Sequence, residues 1–519
     1  MKLGIDFGTT RTVVAAVDRG NYPLLSFDDG EGNPYEWFPS LLAVSGNRRL
    51  YGWQAWACQS LSDWTIVRSL KRVLDNGGPN TILQIAHCQV PLMQVLCEMA
   101  SALKACLPPE PHQIMLGVPA NANGNQRFLT TEAFRSAGFD VMGLLNEPSA
   151  ASIEFGHRNQ LKGHILVYDL GGGTFDASLV EIGERTHQVV ATDGISTLGG
   201  DDFDHILADM AVNPETRDAL SQSEIFRLMD ECRVKKEALN PNSRKITLEL
   251  DNVWEGWGTR AVSVANYYDQ CRPMLDETVH VVQDLLAAHP SVTLEALYVT
   301  GGGSELPIVA RLLKEIFGRR VRRSDHARSA TAIGLAIQAD VEAGYVLRER
   351  FTRNFGVWRE GEAGQRMIFD PLFEKGTVLP LAGEPKVEIY RAYCPVHNIG
   401  VFRYLECSHL KEDGQPTGDV TIWDEIRFPF DPKVTDADAA EVERSWDART
   451  QHIEEIYTCD ASGTVTVRIA NLTSGYDRVF RLGRWASKEA TIVPGRRGGD
   501  ARKSAAAKTA HRRRQSRDV

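Results

Sequence analysis

The feature that most constrains this chain is a repeated turn. Gly4-Ile5-Asp6-Phe7-Gly8-Thr9-Thr10 and, far downstream, Val167-Tyr168-Asp169-Leu170-Gly171-Gly172-Gly173-Thr174-Phe175-Asp176 each set an aspartate after a short apolar run and follow it with glycine and threonine. The apolar runs at Lys2 to Ile5 and His164 to Tyr168, each with a second β-like run behind it, predict two strand-turn-strand units. Aligned, LGIDFGTTRTVVAAV and LVYDLGGGTFDASLV read as an internal duplication. Such a duplication predicts two related lobes with a cleft between them.

Glycine has no Cβ, so the N–H groups of a tight turn can converge on phosphate oxygens, and threonine hydroxyls add further donors. The carboxylates of Asp6, Asp169 and Asp176 would repel phosphate unless a divalent cation lay between them. That combination points to Mg²⁺ held largely through water. A third glycine run, Gly301-Gly302-Gly303-Ser304, ends the strand-like Ala296 to Thr300 and precedes helical spacing from Leu306 to Phe317. In company with the two hairpins it reads as a nucleotide-contacting loop. A ligand bridging both hairpins would hold the lobes together and so convert its own state into shape.

These motifs resemble those of the DnaK-type seventy-kilodalton heat-shock chaperones, members of the actin and hexokinase ATPase superfamily. The other matching stretches are Leu70-Lys71-Arg72-Val73-Leu74, Gly117-Val118-Pro119-Ala120 with Gln126-Arg127, Asn146-Glu147-Pro148-Ser149-Ala150-Ala151, and Leu198-Gly199-Gly200-Asp201-Asp202-Phe203-Asp204. They fall in family order across residues 1 to about 340. The resemblance implies an ATPase binding ATP or ADP with Mg²⁺, probing phosphates with Gly8, Thr9, Thr10, Gly171, Gly172, Gly173 and Thr174. It implies Asp6, Asp169 and Asp176 around the metal, Lys71 near the γ-phosphate orienting water, and Glu147 organising that water, with Thr174 and Asp169 also in the catalytic set. Gly199, Gly200, Lys236, Gly301, Gly302 and Gly303 complete the implied nucleotide contacts. Lys71 is placed on a predicted helix from Trp64 to Leu74.

The base end departs from the family pattern. Family members sandwich adenine between two arginines, and the matching positions here carry Glu237 and Glu305; a glutamate position is Arg233, a serine position is Pro241, and Gly303 replaces a loop serine. Losing two arginine contacts of about 0.5–2 kcal/mol each predicts weaker nucleotide binding, faster exchange and relaxed base preference. Pro119 and Arg127 match the family's switch proline and its arginine partner. The connecting segment reads Tyr345-Val-Leu-Arg-Glu-Arg-Phe351, where the family has an apolar run ending in an acidic residue. Its arginines are expected to dock poorly as a dry strand.

At 519 residues the chain exceeds one ordinary core, and 43% hydrophobic with 24% charged residues is a globular composition. The expected architecture is a two-lobed α/β actin-like ATPase fold over 1–345, with lobes of about 1–160 and 161–345, and a linker over 346–356. An all-β sandwich follows over 357–485, with strands expected at Val387 to Tyr393, Gly400 to Cys407, Val420 to Ile422, Ile453 to Cys459 and Thr464 to Asn471. In the resembled family this sandwich clasps extended apolar polypeptide; Ile389, Tyr390, Val401 and Phe402 are the candidate pocket residues. No counterpart of the family's helical lid is legible after Trp485. Residues 486–519 are expected to be a disordered basic tail: from Arg496 onward the local charge is +7, against −10 for the whole chain. Nucleic acid is an expected partner only through that tail.

Nine scattered cysteines without a Cys-x-x-Cys pair indicate neither zinc nor disulfides. Met1-Lys2 leads directly into the first strand, and no apolar run approaches the roughly 18 residues of a membrane span. A cytoplasmic protein with no membrane partner is expected. The leading functional expectation is an ATP-dependent chaperone whose partners include a J-domain co-chaperone and a nucleotide exchange factor. The alternative is a nucleotide-gated adaptor with vestigial ATPase. A small-molecule kinase of the same superfamily would need an acceptor-activating carboxylate, and the lysine-bearing signature argues against it.

Overall fold

The computed structural model describes residues 1–482 apart from 60, 62, 75–76, 79, 160, 362–365, 382 and 462, together with 491–492. Both glycine turns join antiparallel strands, Lys2–Phe7 to Arg11–Ala16 and Gly163–Leu170 to Phe175–Ile182. Each hairpin lies inside a larger mixed sheet. The first sheet has the order Asp140–Asn146, Gln113–Val118, Lys2–Phe7, Arg11–Ala16, Phe38–Pro39. The second runs Val321–Arg323, Leu294–Thr300, Gly163–Leu170, Phe175–Ile182, Thr186–Ile195, Val346–Arg348. In both, the first hairpin strand has a parallel neighbour on its other side. The duplication read in the sequence is therefore a duplication of topology.

Two helices join the halves. Glu147–Arg158 and Ala330–Ala339 share one core with Val13, Ala15 and Met115 of the first sheet and Ile165, Val167 and Val180 of the second. Their contact is backbone to backbone: a Cβ on Gly334 would sit 1.8 Å from the Ala150 carbonyl oxygen, and one on Gly4 would sit 2.3 Å from that of Ala332. Only glycine permits so close an approach.

Beyond residue 353 two four-stranded antiparallel sheets face each other. Their orders are Arg366–Phe373, Asn354–Gly361, Ile399–Leu410, Pro416–Pro429 and Val387–Tyr393, Ile453–Cys459, Val465–Asn471, Tyr476–Arg481. Alternation turns Phe355, Val357, Tyr404, Tyr457 and Val467 into a shared core. Phe402 belongs to that core at 4% exposure, whereas Tyr390 is 56% exposed and Ile389 only packs against the core. The inner face also carries charge. Arg359 binds Glu455 through two bonds of 2.9 and 2.7 Å and Asp370 at 2.6 Å, while Arg391 holds Asp370 and the Tyr393 hydroxyl donates to Glu455.

The connecting segment corrects its sequence expectation. Val346–Arg348 adds to the edge of the second sheet, parallel to Thr186–Gln188. Leu347 turns inward, Arg348 turns out to a bidentate pair with Glu384, and Arg350 donates to the carbonyls of Val189 and Gly376. Each guanidinium has acceptors, so the charge that argued against docking is satisfied. The predicted helix from Trp64 to Leu74 is also corrected: Thr65–Val67 is a strand, Ser69 takes φ +57°, and only Leu70–Val73 is helical. The expected basic tail lies outside the described residues except for Thr491–Ile492, which pair with Ile82–Leu83. Among the described residues no helix is long and apolar enough to cross a membrane.

Candidate functional site

A cavity of about 220 Å³ opens between the lobes, lined by Asp6, Gly8, Thr9, Thr10, Lys71, Glu147, Asp169, Gly171, Gly172, Thr174, Gly200, Lys236, Gly301, Gly302 and Gly303. Nearly every residue singled out from the sequence converges there. Gly173, Gly199 and Asp176 stand just behind this lining. The two turns touch across the cleft: a Cβ on Gly172 would come within 2.9 Å of Thr10 Oγ1, and one on Gly173 within 2.8 Å of Thr9 Oγ1. Gly199 lies against the second turn in the same way: a Cβ there would come within 2.6 Å of the Gly172 carbonyl, and the N–H groups of Gly200 and Asp201 donate to the carbonyls of Gly171 and Gly172. Gly301 adopts φ +84°, and a Cβ there would meet the Leu170 carbonyl oxygen at 2.3 Å. The glycines answer to steric closeness as well as to any ligand.

The floor of the cleft is acidic and buried. Asp169 and Asp176 face each other across the hairpin register, with Asp6 and Glu147 beside them and the Lys71 ammonium paired to Glu147. Burial, reinforced by Glu147, pushes the Asp6 and Asp176 carboxyls up to about 7 despite the opposing pull of Lys71. Burial and the charges of Glu147, Asp176 and Asp6 raise Asp169 well above the carboxylate range. Burial works against the Lys71 charge, but Glu147 and Asp6 outweigh it and raise its pKa. So crowded a set of acids is under-neutralised by one lysine, the situation a divalent cation relieves. Among the described residues, no three such side chains converge closely enough to hold a metal directly. The donor set therefore fits a hydrated Mg²⁺ reached through water and does not fit a closed protein cage.

Contacts that sequence reasoning missed tie the lobes across the cleft. Arg72 donates to the Gly173 carbonyl at 3.1 Å and pairs with Asp202 at 2.6 Å, while the Ser69 hydroxyl donates to Asp201. Lys236 reaches the Gly200 carbonyl and the buried Asp204 carboxylate, at 2.6 and 2.7 Å. At the opposite end, Glu237 is bound by Arg11 at 2.6 Å, Arg328 at 3.2 Å and Arg233 at 3.5 Å, and Arg328 also pairs with Glu305. Burial opposes the Glu237 charge, yet Arg11 and Arg233 hold its carboxyl down to about 2. The two glutamates flagged at the base end are thus partnered. Apart from Arg233, one helical turn before Glu237, these partners lie too far along the chain for any local pattern to show.

Glu147 begins the helix Glu147–Arg158, and Asn146 before it is the cap residue. The Asn146 N–H and amide donate to Glu349 of the connecting segment at 3.2 and 2.7 Å, and Arg127 donates to the Asn146 carbonyl oxygen of the side chain. The connector's anchor, Asn146, is therefore the immediate chain neighbour of the Lys71 partner Glu147. The β-rich region reaches the first lobe nearby: Gly124 N–H donates to Glu406, and a Cβ on Gly124 would meet the Trp423 ring at 2.3 Å.

Comparison with known proteins agrees with this geometry. The family model described as Hsp70 protein matches residues 84–352. Similar curated proteins include a Chaperone protein HscA homolog of Vibrio parahaemolyticus, 32% identical over 370 residues, and a Chaperone protein HscA of Pectobacterium atrosepticum, 31% identical over 381. Another Chaperone protein HscA, from Serratia proteamaculans, is 32% identical over 366 residues. Each alignment covers 66% of this chain, and the chain spans 58% of the length of these relatives. With the paired hairpins, the Lys71–Glu147 pair and the family match in agreement, the chain belongs to the Hsp70 family.

Proposed function

We propose that the chain is an ATP-dependent chaperone of the DnaK type, which hydrolyses ATP to control its grip on extended polypeptide. The observation that carries this reading is the under-neutralised floor of Asp6, Asp169, Asp176 and Glu147 beneath two touching glycine turns, with Lys71 buried among them. In this reading Gly8, Thr9, Thr10, Gly171, Gly172, Gly173 and Thr174 hold the phosphates of ATP or ADP. Asp6, Asp169 and Asp176 hold the water shell of Mg²⁺, which when bound neutralises phosphate charge. Lys71 orients the attacking water and meets the charge that develops on the γ-phosphate. Glu147, held by its pair with Lys71, helps organise that water and the shell of the metal. Lys236 and the glycines at 199–200 and 301–303 complete the nucleotide contacts.

The connector anchored at Asn146 and the docked β-rich region supply a route by which bound polypeptide biases hydrolysis. An extended apolar segment is the proposed polypeptide, with a J-domain protein and an exchange factor as proposed helpers and the cytoplasm as the proposed compartment. The test is steady-state ATP hydrolysis with and without an unstructured apolar peptide. Stimulation supports the chaperone reading. Nucleotide binding without any turnover would overturn it.

A further inference from the structure

The buried end of the cleft is closed by Lys71 and Glu147, so a nucleoside whose phosphates lie on the glycine turns extends the other way. That other end is lined by Arg11, Trp37, Glu237 and Arg328. These side chains are already joined. Arg11, from the first lobe, bonds Glu237 at the end of the helix Gln222–Glu237 in the second, and Arg328 bonds Glu237 and Glu305. The Arg11 guanidinium also lies over the Trp37 ring, 4.9 Å from its centroid.

Bases are distinguished by the donors and acceptors on their edges, whereas ribose and triphosphate are common to them all. Here Arg11, Glu237 and Arg328 are bonded to one another, and the indole face able to stack on a base is covered by a guanidinium, which leaves the exposed carboxylate of Glu36 as the charged side chain beside Trp37. Part-buried, charge-assisted bonds of this kind are strong and geometrically fixed. Any base entering meets a surface that has few free groups with which to choose.

We propose that this cleft selects a magnesium-bound nucleoside triphosphate with little regard to the base, and that Arg11, Glu237 and Arg328 determine that breadth. The proposal rests on the nucleotide-hydrolysing reading above. Calorimetric titration of the full chain with the magnesium salts of ATP, GTP, CTP and UTP tests it. Dissociation constants within about tenfold of one another are expected. A preference of more than about tenfold for one base overturns the proposal and leaves the nucleotide reading standing, whereas no binding by any of the four overturns both.

Glu237→Gln identifies the determinant, because it releases Arg11 and Arg328 towards the base. The ratio of ATP to GTP affinity is expected to move by more than about threefold, and a ratio unmoved in a folded variant removes these residues from the role. Arg328→Ala, at a more exposed side chain, provides the same readout if Glu237→Gln does not fold.

Discussion

Replacing Lys71 with methionine keeps most of the side-chain stem and removes its charge. Lys71 is 7% exposed, pairs with Glu147, and is the cation that opposes the raised pKa of Asp6, Asp169 and Asp176. Without ligand, removing one partner of such a buried pair costs about 3–5 kcal/mol. Bound metal would offset part of that loss by neutralising the same acids. For hydrolysis the relevant quantity is the charge contact in the transition state, worth about 2.7–4 kcal/mol, or roughly 10²–10³ in rate. The glycine turns are untouched, so nucleotide affinity should stay within about tenfold. Single-turnover phosphate release from preloaded ATP is the assay, with affinity measured separately. Hydrolysis within about threefold of the native rate would refute a catalytic role for Lys71 and remove the main reason for its burial.

Three further outcomes follow from the same geometry. Glu349→Leu strips the acceptor from the Asn146 N–H and amide, leaving groups whose loss costs about 1–3 kcal/mol; kcat should fall with KM unchanged, and an unaltered kcat would sever the connector from Glu147. Asp6 and Asp176 are raised from 3.8 to about 7 in the fold, so the folded state binds more protons between those values and its stability falls as pH rises through that window. Magnesium and nucleotide should therefore raise Tm more at about pH 8 than at about pH 5.5, and an equal rise at both would contradict the cluster's assigned role. Glu455→Ala takes the bidentate partner from Arg359 inside the β-sandwich and leaves Asp370, which Arg391 shares, as its remaining carboxylate partner; it should cost about 3–5 kcal/mol in urea unfolding, while a loss under about 1 kcal/mol would show that the network is not energetically coupled.

What was legible in the sequence was what is local. The hairpins at Asp6 and Asp169 declare themselves because glycine, threonine and the flanking alternation occupy consecutive positions, and Lys71 and Glu147 could be placed beside them through the family resemblance. Long-range charge was not legible. Arg11 and Glu237 lie 226 residues apart, and Arg328 and Glu237 lie 91 apart. The connector departs from its sequence expectation for a related reason: its arginines are costly in isolation, whereas Glu384 and two backbone carbonyls satisfy them. In the sandwich, Arg359 and Glu455 occupy inward positions where alternation anticipates apolar residues. Only their mutual pairing with Asp370 and Tyr393 makes that placement tolerable.

The most direct measurement is a crystal structure of the full chain grown with magnesium and a non-hydrolysable ATP analogue. The account predicts a triphosphate lying on Gly8–Thr10 and Gly171–Thr174, with a hydrated metal above Asp6, Asp169 and Asp176 and the Lys71 ammonium facing the terminal phosphate. A triphosphate bound elsewhere, or a saturated crystal whose glycine turns contact no phosphate, would contradict it.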